Sequence, residues 1–162
     1  MPQPNRRRFL ILCSYALLGA CSGSREGRSA GFTNPPEPPL YPNETPALRA
    51  SINHWADHYV VPRPLVHRLA IRESTHRPEA RNGPYWGLLQ ILPATAGSMG
   101  FRGAPPDLLD ADTNLEYAVK YLRGAWLLSD GDQKAAIGWY ARGYYYEAKR
   151  QGMLVETGLR PG

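Results

Sequence analysis

From Ala47 onward, apolar side chains recur at three- and four-residue spacings and nowhere alternate cleanly in twos, which commits this part of the chain to short, packed helices. Ile52, Trp55, Ala56 and Tyr59 make one face of a helix over 47–60. Pro62 and Pro64 break it and open the next, where Leu65, Val66, Leu69 and Ala70 form a stripe over 64–74. Pro93 opens a short helix to about Met99. Asp110 or Asp112 caps a long one to about Leu128, with Leu115, Ala118, Val119 and Leu122 inward. Asp132 caps another that carries Ala135, Ala136, Trp139 and Tyr140, and a last helix is expected over 144–151. The fold class expected for 47–162 is therefore a small all-α domain.

The first 46 residues are of a different kind. Asn5-Arg6-Arg7-Arg8 precedes a short apolar run, Phe9 to Ala20, the two parts of a secretory signal over 1–20. The arginines with Phe9 and Leu10 also resemble the core of a twin-arginine export signal. Leu18-Gly19-Ala20-Cys21 resembles the lipobox of bacterial lipoproteins, which implies lipidation of Cys21 and a membrane anchor on the periplasmic face of the cell envelope, with the outer membrane expected from Ser22 at the following position. Residues 21–46 are rich in Ser, Gly and Pro, with Asn34-Pro35-Pro36-Glu37-Pro38-Pro39, and read as a semi-stiff tether of ~3.1 Å per residue. No run is apolar over 18 residues, so no membrane-spanning helix is expected.

Charge and cysteine content exclude several classes of function. The net charge of +5 resembles that of a nucleic-acid binder, but removal of 1–20 deletes three arginines and no acid. The remainder holds 16 basic and 14 acidic side chains, so no nucleic-acid partner is expected. Two cysteines, Cys13 and Cys21, cannot build a disulfide framework or a four-Cys zinc site. His54, His58, His67 and His76 are scattered, without the close helical pairing of a zinc site, and no metal is expected.

Glu73 breaks the local pattern. It lies four residues after Leu69 and eight after Leu65, so it continues an apolar stripe. It also sits in the last helical turn, before Thr75-His76-Arg77-Pro78 stops the helix, where the helix dipole is negative. Partial burial and that dipole both disfavour the carboxylate and raise the pKa. A carboxyl that keeps its proton near neutrality is what general-acid cleavage of a glycosidic bond requires. The same position equally suits a surface glutamate paired with Arg72 or Arg77.

The neighbouring motifs decide between these. Glu73-Ser74, Gly87-Leu88-Leu89-Gln90-Ile91-Leu92-Pro93 with Thr95-Ala96, Asn114 in Asp112-Thr113-Asn114-Leu115, Tyr121-Leu122, and Trp139-Tyr140 with Gly143 follow in order. Together they resemble the soluble-type catalytic domain of the lytic transglycosylases, in the goose-lysozyme-like superfamily. The resemblance covers roughly 50–145 and implies a lysozyme-like helical fold, a peptidoglycan glycan strand as substrate, no cofactor, and a monomer. It implies that Glu73 is the single acid/base, that Gln90 lines the sugar cleft, and that the Tyr140 hydroxyl bonds the catalytic carboxyl. Gly87 is expected to let the glycan approach the backbone closely. Ser74, Asn82 and Tyr85 complete the residues expected to bind or support substrate. Asn114 is expected to be a structural anchor. Gln90 as a helix cap and Tyr140 as core filler are the alternatives at those positions.

The chain also departs from the family pattern. Ala141-Arg142 follows Tyr140 where the family has Asn. Leu89 replaces Met at similar volume. Asn82-Gly83-Pro84-Tyr85-Trp86 stands where a Ser and a Gly-Ala stretch are usual, and Tyr85 and Trp86 are either a stacking platform for a sugar or a plug over the loop. Tyr144-Tyr145-Tyr146 offers further aromatic surface near the cleft, although one helix face cannot present all three. The implied reaction is non-hydrolytic cleavage between N-acetylmuramic acid and N-acetylglucosamine, leaving 1,6-anhydromuramyl ends. Two rivals are a lysozyme-type hydrolase, which needs a second carboxylate such as Glu79, Asp107, Asp110 or Asp112, and an inactive peptidoglycan-binding envelope lipoprotein.

Overall fold

The computed structural model describes residues 38–161. The export signal, Cys21 and the first part of the tether lie outside the described residues. Six helices form among those described: α1 (Pro46–His58), α2 (Arg63–Ser74), α3 (Pro93–Ser98), α4 (Ala111–Leu127), α5 (Gln133–Arg142) and α6 (Tyr145–Arg150). The all-α expectation holds. None of these helices is long and apolar enough to cross a membrane.

Local chemistry sets the helix ends. The Thr45 hydroxyl accepts the Leu48 N–H at 3.1 Å and starts α1, with Pro46 in its first turn. Asp110 caps α4 through the Thr113 N–H at 2.8 Å, while Asp112 takes the Trp55 indole N–H at 3.0 Å. Asp132 caps α5 through the Lys134 and Ala135 N–H groups.

The long helix α4 is the spine. Leu115, Ala118, Val119, Leu122 and Ala125 on its inner face are fully buried, and α1, α3 and α5 pack against it. Ile52 and Ala56 of α1 and Leu65, Val66, Leu69 and Ala70 of α2 complete the same core. Each fully buried aliphatic side chain of this kind contributes roughly 1.5–3 kcal/mol of transfer free energy.

Two features depart from expectation. A small hairpin, β1 (Arg81–Asn82) and β2 (Tyr85–Trp86), turns through Gly83 at φ 57°. Its two-residue strands are too short to leave an alternating signature. The expected tether also ends earlier than Pro46. Residues 38–45 lie on the domain, where Arg49 donates to the Pro38 and Pro39 carbonyls and pairs with Glu44.

One buried amide joins the spine to the loop after the hairpin. Asn114 is fully buried on the first turn of α4. Its Nδ2 donates to Trp86 O and Leu108 O, both at 2.9 Å, and its Oδ1 accepts Leu89 N–H at 2.9 Å. The expected anchoring role is what the structure gives it. Asn114→Ala leaves the Leu89 N–H and the Leu108 carbonyl without a partner, each worth about 1–3 kcal/mol, while Trp86 O keeps the Ile91 N–H at 3.1 Å, and it is expected to lower the urea midpoint sharply at unchanged m-value.

Candidate active site

A cleft of about 530 Å³ opens where the end of α2, the hairpin, the loop 87–92, α3, α4 and the end of α5 converge. Glu73 lies in its wall. Leu65 and Leu69, the two stripe residues before it, are fully buried, so the stripe runs out of the core and delivers Glu73 to the cleft. The Glu73 side chain keeps 22% exposure, and Arg72 Nε lies 3.6 Å from its Oε1. Burial raises the Glu73 pKa above the ordinary carboxylate value, and the Arg72 charge opposes the shift without cancelling it. Among the described residues lining the cleft, Glu73 is the sole carboxylate. The other acids considered are engaged elsewhere or exposed: Asp107 accepts Ala104 N–H, Asp110 caps α4, Asp112 holds Trp55, and Glu79 lies on the surface.

Tyr140 reaches the same cleft from α5, but its hydrogen bond is not the expected one. The hydroxyl donates to Leu89 O at 2.9 Å. Burial, with the nearby Glu73 charge, pushes the phenol well above its ordinary pKa, so the donor persists. A phenol has one proton. With that proton committed to Leu89, the oxygen has only acceptor capacity left.

Gln90 lines the cleft as expected and also braces the loop. Its backbone is left-handed, φ 49°, and its Nε2 donates to Gly87 O at 2.7 Å and Ala80 O at 3.0 Å. The acceptor Oε1 is the capacity left for a ligand. Asn82 and Tyr85 also line the cleft. The two aromatics differ: Tyr85 is 41% exposed in the cleft lining, whereas half-buried Trp86 packs on the core under the Arg81 guanidinium, 3.9 Å from its ring centre.

Three expectations are corrected. Gly87 does not clear a path for the glycan: a Cβ there would lie 2.1 Å from Leu108 O and 2.2 Å from Asn114 Nδ2, so glycine at φ 74° is required for packing beneath the loop. Ser74 is turned away from the cleft, where its hydroxyl donates to Ala70 O at 3.3 Å and accepts Arg77 N–H at 3.1 Å, closing the end of α2. The Tyr144–Tyr146 run does not line the cleft. Tyr144 is buried and donates to Tyr121 O at 2.8 Å, and Tyr146 is 84% exposed outside it.

Tyr121, Thr95, Arg72 and Arg142 line the cleft without having been singled out as site residues. Tyr121 sits beside the apolar stripe of α4, edge-on to Tyr140 at 5.3 Å, and an aromatic with a polar tip at the border of a stripe is the signal it carried. Ala141 and Arg142, the departure after Tyr140, both face the cleft, and Arg142 rests on Trp139 at 3.8 Å.

The family model of the transglycosylase SLT domain matches residues 50–152. The chain belongs to that family. The matched domain is that of the lytic transglycosylases, which act on the glycosidic bonds of peptidoglycan, and it spans every element that lines the cleft. No solved structure matches the chain.

The histidines are not scattered in space. Glu44, His67 and His76 are buried, and a ligating atom from each lies within 4.8 Å of the others. The Glu44 carboxylate is gripped by Arg49 at 2.5 Å, and burial pulls both histidine pKa values down. A cation would have to share the carboxylate with that guanidinium, so the cluster acts as a buttress, in which His67 lies 3.4 Å from His76 and 3.3 Å from Asn53.

Because the Glu73 pKa is raised in the folded state, its stabilising contribution is complete at low pH and is lost as pH rises through the folded value. Glu73→Gln cannot ionise. It is expected to gain stability relative to the parent as pH rises above the ordinary glutamate range, read from urea midpoints. Tyr140→Phe removes the bond to Leu89 and is expected to cost about 1 kcal/mol of stability and to lower kcat more than it raises KM, measured on soluble glycan fragments.

Proposed function

We propose that this chain is a lytic transglycosylase that cleaves the β-1,4 bond between N-acetylmuramic acid and N-acetylglucosamine, with Glu73 as the single acid/base. The observation that carries this is one partly buried carboxyl, raised in pKa, in a cleft whose described lining holds no second carboxylate. A hydrolase that activates water at the opposite face of the sugar, or forms a glycosyl ester, needs that second group.

In this mechanism protonated Glu73 gives its proton to the glycosidic oxygen as the bond to the muramyl anomeric carbon breaks. Positive charge grows on that carbon, and the carbonyl of the substrate's own N-acetyl group shares it. The Glu73 carboxylate then removes the proton of the muramyl C6 hydroxyl, whose oxygen bonds to the anomeric carbon. The products are a 1,6-anhydromuramyl end and a free N-acetylglucosamine hydroxyl, with Glu73 protonated again and no water consumed. Tyr85 supplies a ring face for a sugar, and Asn82 with the Gln90 amide oxygen supplies hydrogen bonds that fix its register.

The export signal over 1–20 and the lipobox at Cys21 support a place on the periplasmic face of the envelope, anchored to the outer membrane through lipid on Cys21, with residues up to 37 as the tether.

Mass analysis of digested peptidoglycan is expected to show ends one water lighter than hydrolysis leaves. Glu73→Gln is expected to keep the fold and lose cleavage by several orders of magnitude. Products with ordinary reducing ends would instead identify a hydrolase. A parent protein that binds cell-wall sacculi without cutting them would identify a binding lipoprotein.

A further inference from the structure

We propose that residues 38–45, which precede the matched family region, are a positioning element for Glu73: Tyr41, Asn43 and Glu44 clamp the left-handed turn that ends α2 directly behind the carboxyl. This rests on Glu73 being the acid/base.

The turn needs a clamp. Thr75 and His76, the second and third residues after Glu73, both have left-handed backbones, φ 54° and 58°. Neither is glycine, the residue that most often ends a helix this way, and Thr75 is β-branched. Left-handed geometry is unfavourable for an L-residue with a Cβ, and such strain persists only where the surroundings over-determine it.

Residues 38–45 supply that constraint. Asn43 Nδ2 donates to Thr75 O at 3.0 Å. The Tyr41 ring stacks on the His76 imidazole, with centroids 5.1 Å apart and planes 7° from parallel. His76 is fully buried and reaches back to His67 on α2, which in turn meets Asn53 of α1. The clamp is itself rigid. Tyr41-Pro42-Asn43-Glu44 forms a turn closed by Glu44 N–H to Tyr41 O at 3.0 Å, with Pro42 second and Asn43 third at φ 64°, the arrangement of a type II turn. The Glu44 side chain is fully buried, takes the Tyr41 N–H at 2.8 Å and pairs with Arg49, whose guanidinium also holds the Pro38 and Pro39 carbonyls.

The consequence falls on Glu73 because helix ends open first. If the turn is released, the last turn of α2 frays, Glu73 becomes more hydrated, and its carboxyl loses its alignment with the cleft. A shift of about 1 Å at a reacting group is enough to slow a reaction on the order of 100-fold. Of the charged and titratable groups around Glu73 in the cleft, Arg142, Tyr85, Tyr121 and Tyr140 lie on other elements and stay in place, while Arg72 shares the last turn of α2 and moves with Glu73.

Asn43→Gly and Tyr41→Leu test this in the purified chain. The glycine keeps the left-handed backbone and removes only the amide, and the leucine removes the stack. Both are expected to lower kcat on the order of 10-fold with KM held within about twofold. Both should move the basic limb of the pH–rate profile toward lower pH and speed amide hydrogen exchange over 73–77. Parental exchange rates and a parental pH limb in Asn43→Gly would overturn the proposal, as would a rate loss matched by a Trp55→Phe control of equal stability. That bond to Thr75 is exposed, so Asn43→Gly folds and carries the test even if Tyr41→Leu does not. Glu73→Gln assayed in parallel separates the two claims: residual cleavage would sink the acid assignment, while the exchange data still judge the clamp.

Discussion

The cleft depends on the three hydrogen bonds of Asn114. A buried amide with both donors and its acceptor satisfied is a rigid bracket, and leaving any of its partners unpaired in the core is costly. This bracket joins Trp86, Leu89 and Leu108 to the first turn of the spine helix. Leu89, so fixed, is also where Tyr140 donates its proton. The loop that carries Gln90 to the cleft is thus pinned by α4 on one side and α5 on the other. Gly87 follows from the same constraint, since the space its Cβ would need is filled by the Asn114 amide and Leu108 O.

The electrostatics of the cleft come from a competition that burial wins. Glu73 has a cation beside it at 3.6 Å, which by itself would favour the carboxylate. Partial desolvation outweighs it, because Arg72 is half exposed and its charge is screened by water, whereas the carboxyl sits against the cleft wall. The Tyr140 proton is committed to Leu89 O.

Much of this was legible in the chain itself. Six helices followed from apolar spacing, from Pro64 and Pro93, and from caps at Asp132 and at Asp110 or Asp112, because these are local effects. Glu73 stood out as the one acid on an apolar stripe. The order of the surrounding motifs pointed to the lytic transglycosylase family, and the family match bears that out. What stayed hidden depended on partners far along the chain. Tyr140 finds Leu89 across 51 positions and Asn114 finds Leu89 across 25, and no spacing rule connects them. Ser74 and Gly87 carry family motif residues that look like site residues, yet one closes a helix and the other makes room for an amide.

Residues 38–45 show the division most sharply. In sequence they continue a proline-rich tether, because proline content alone excludes helix and sheet and says nothing of what the chain lies against. Only the fold brings Glu44 to Arg49, Tyr41 to His76 and Asn43 to Thr75. By itself the sequence determined the helices, the family and Glu73 as the candidate acid, since periodicity, capping and motif order act over a few residues. The tertiary structure alone decided where the proton of Tyr140 goes, which groups share the cleft with Glu73, and what holds its strained turn, since hydrogen bonds and desolvation depend on neighbours that only folding supplies.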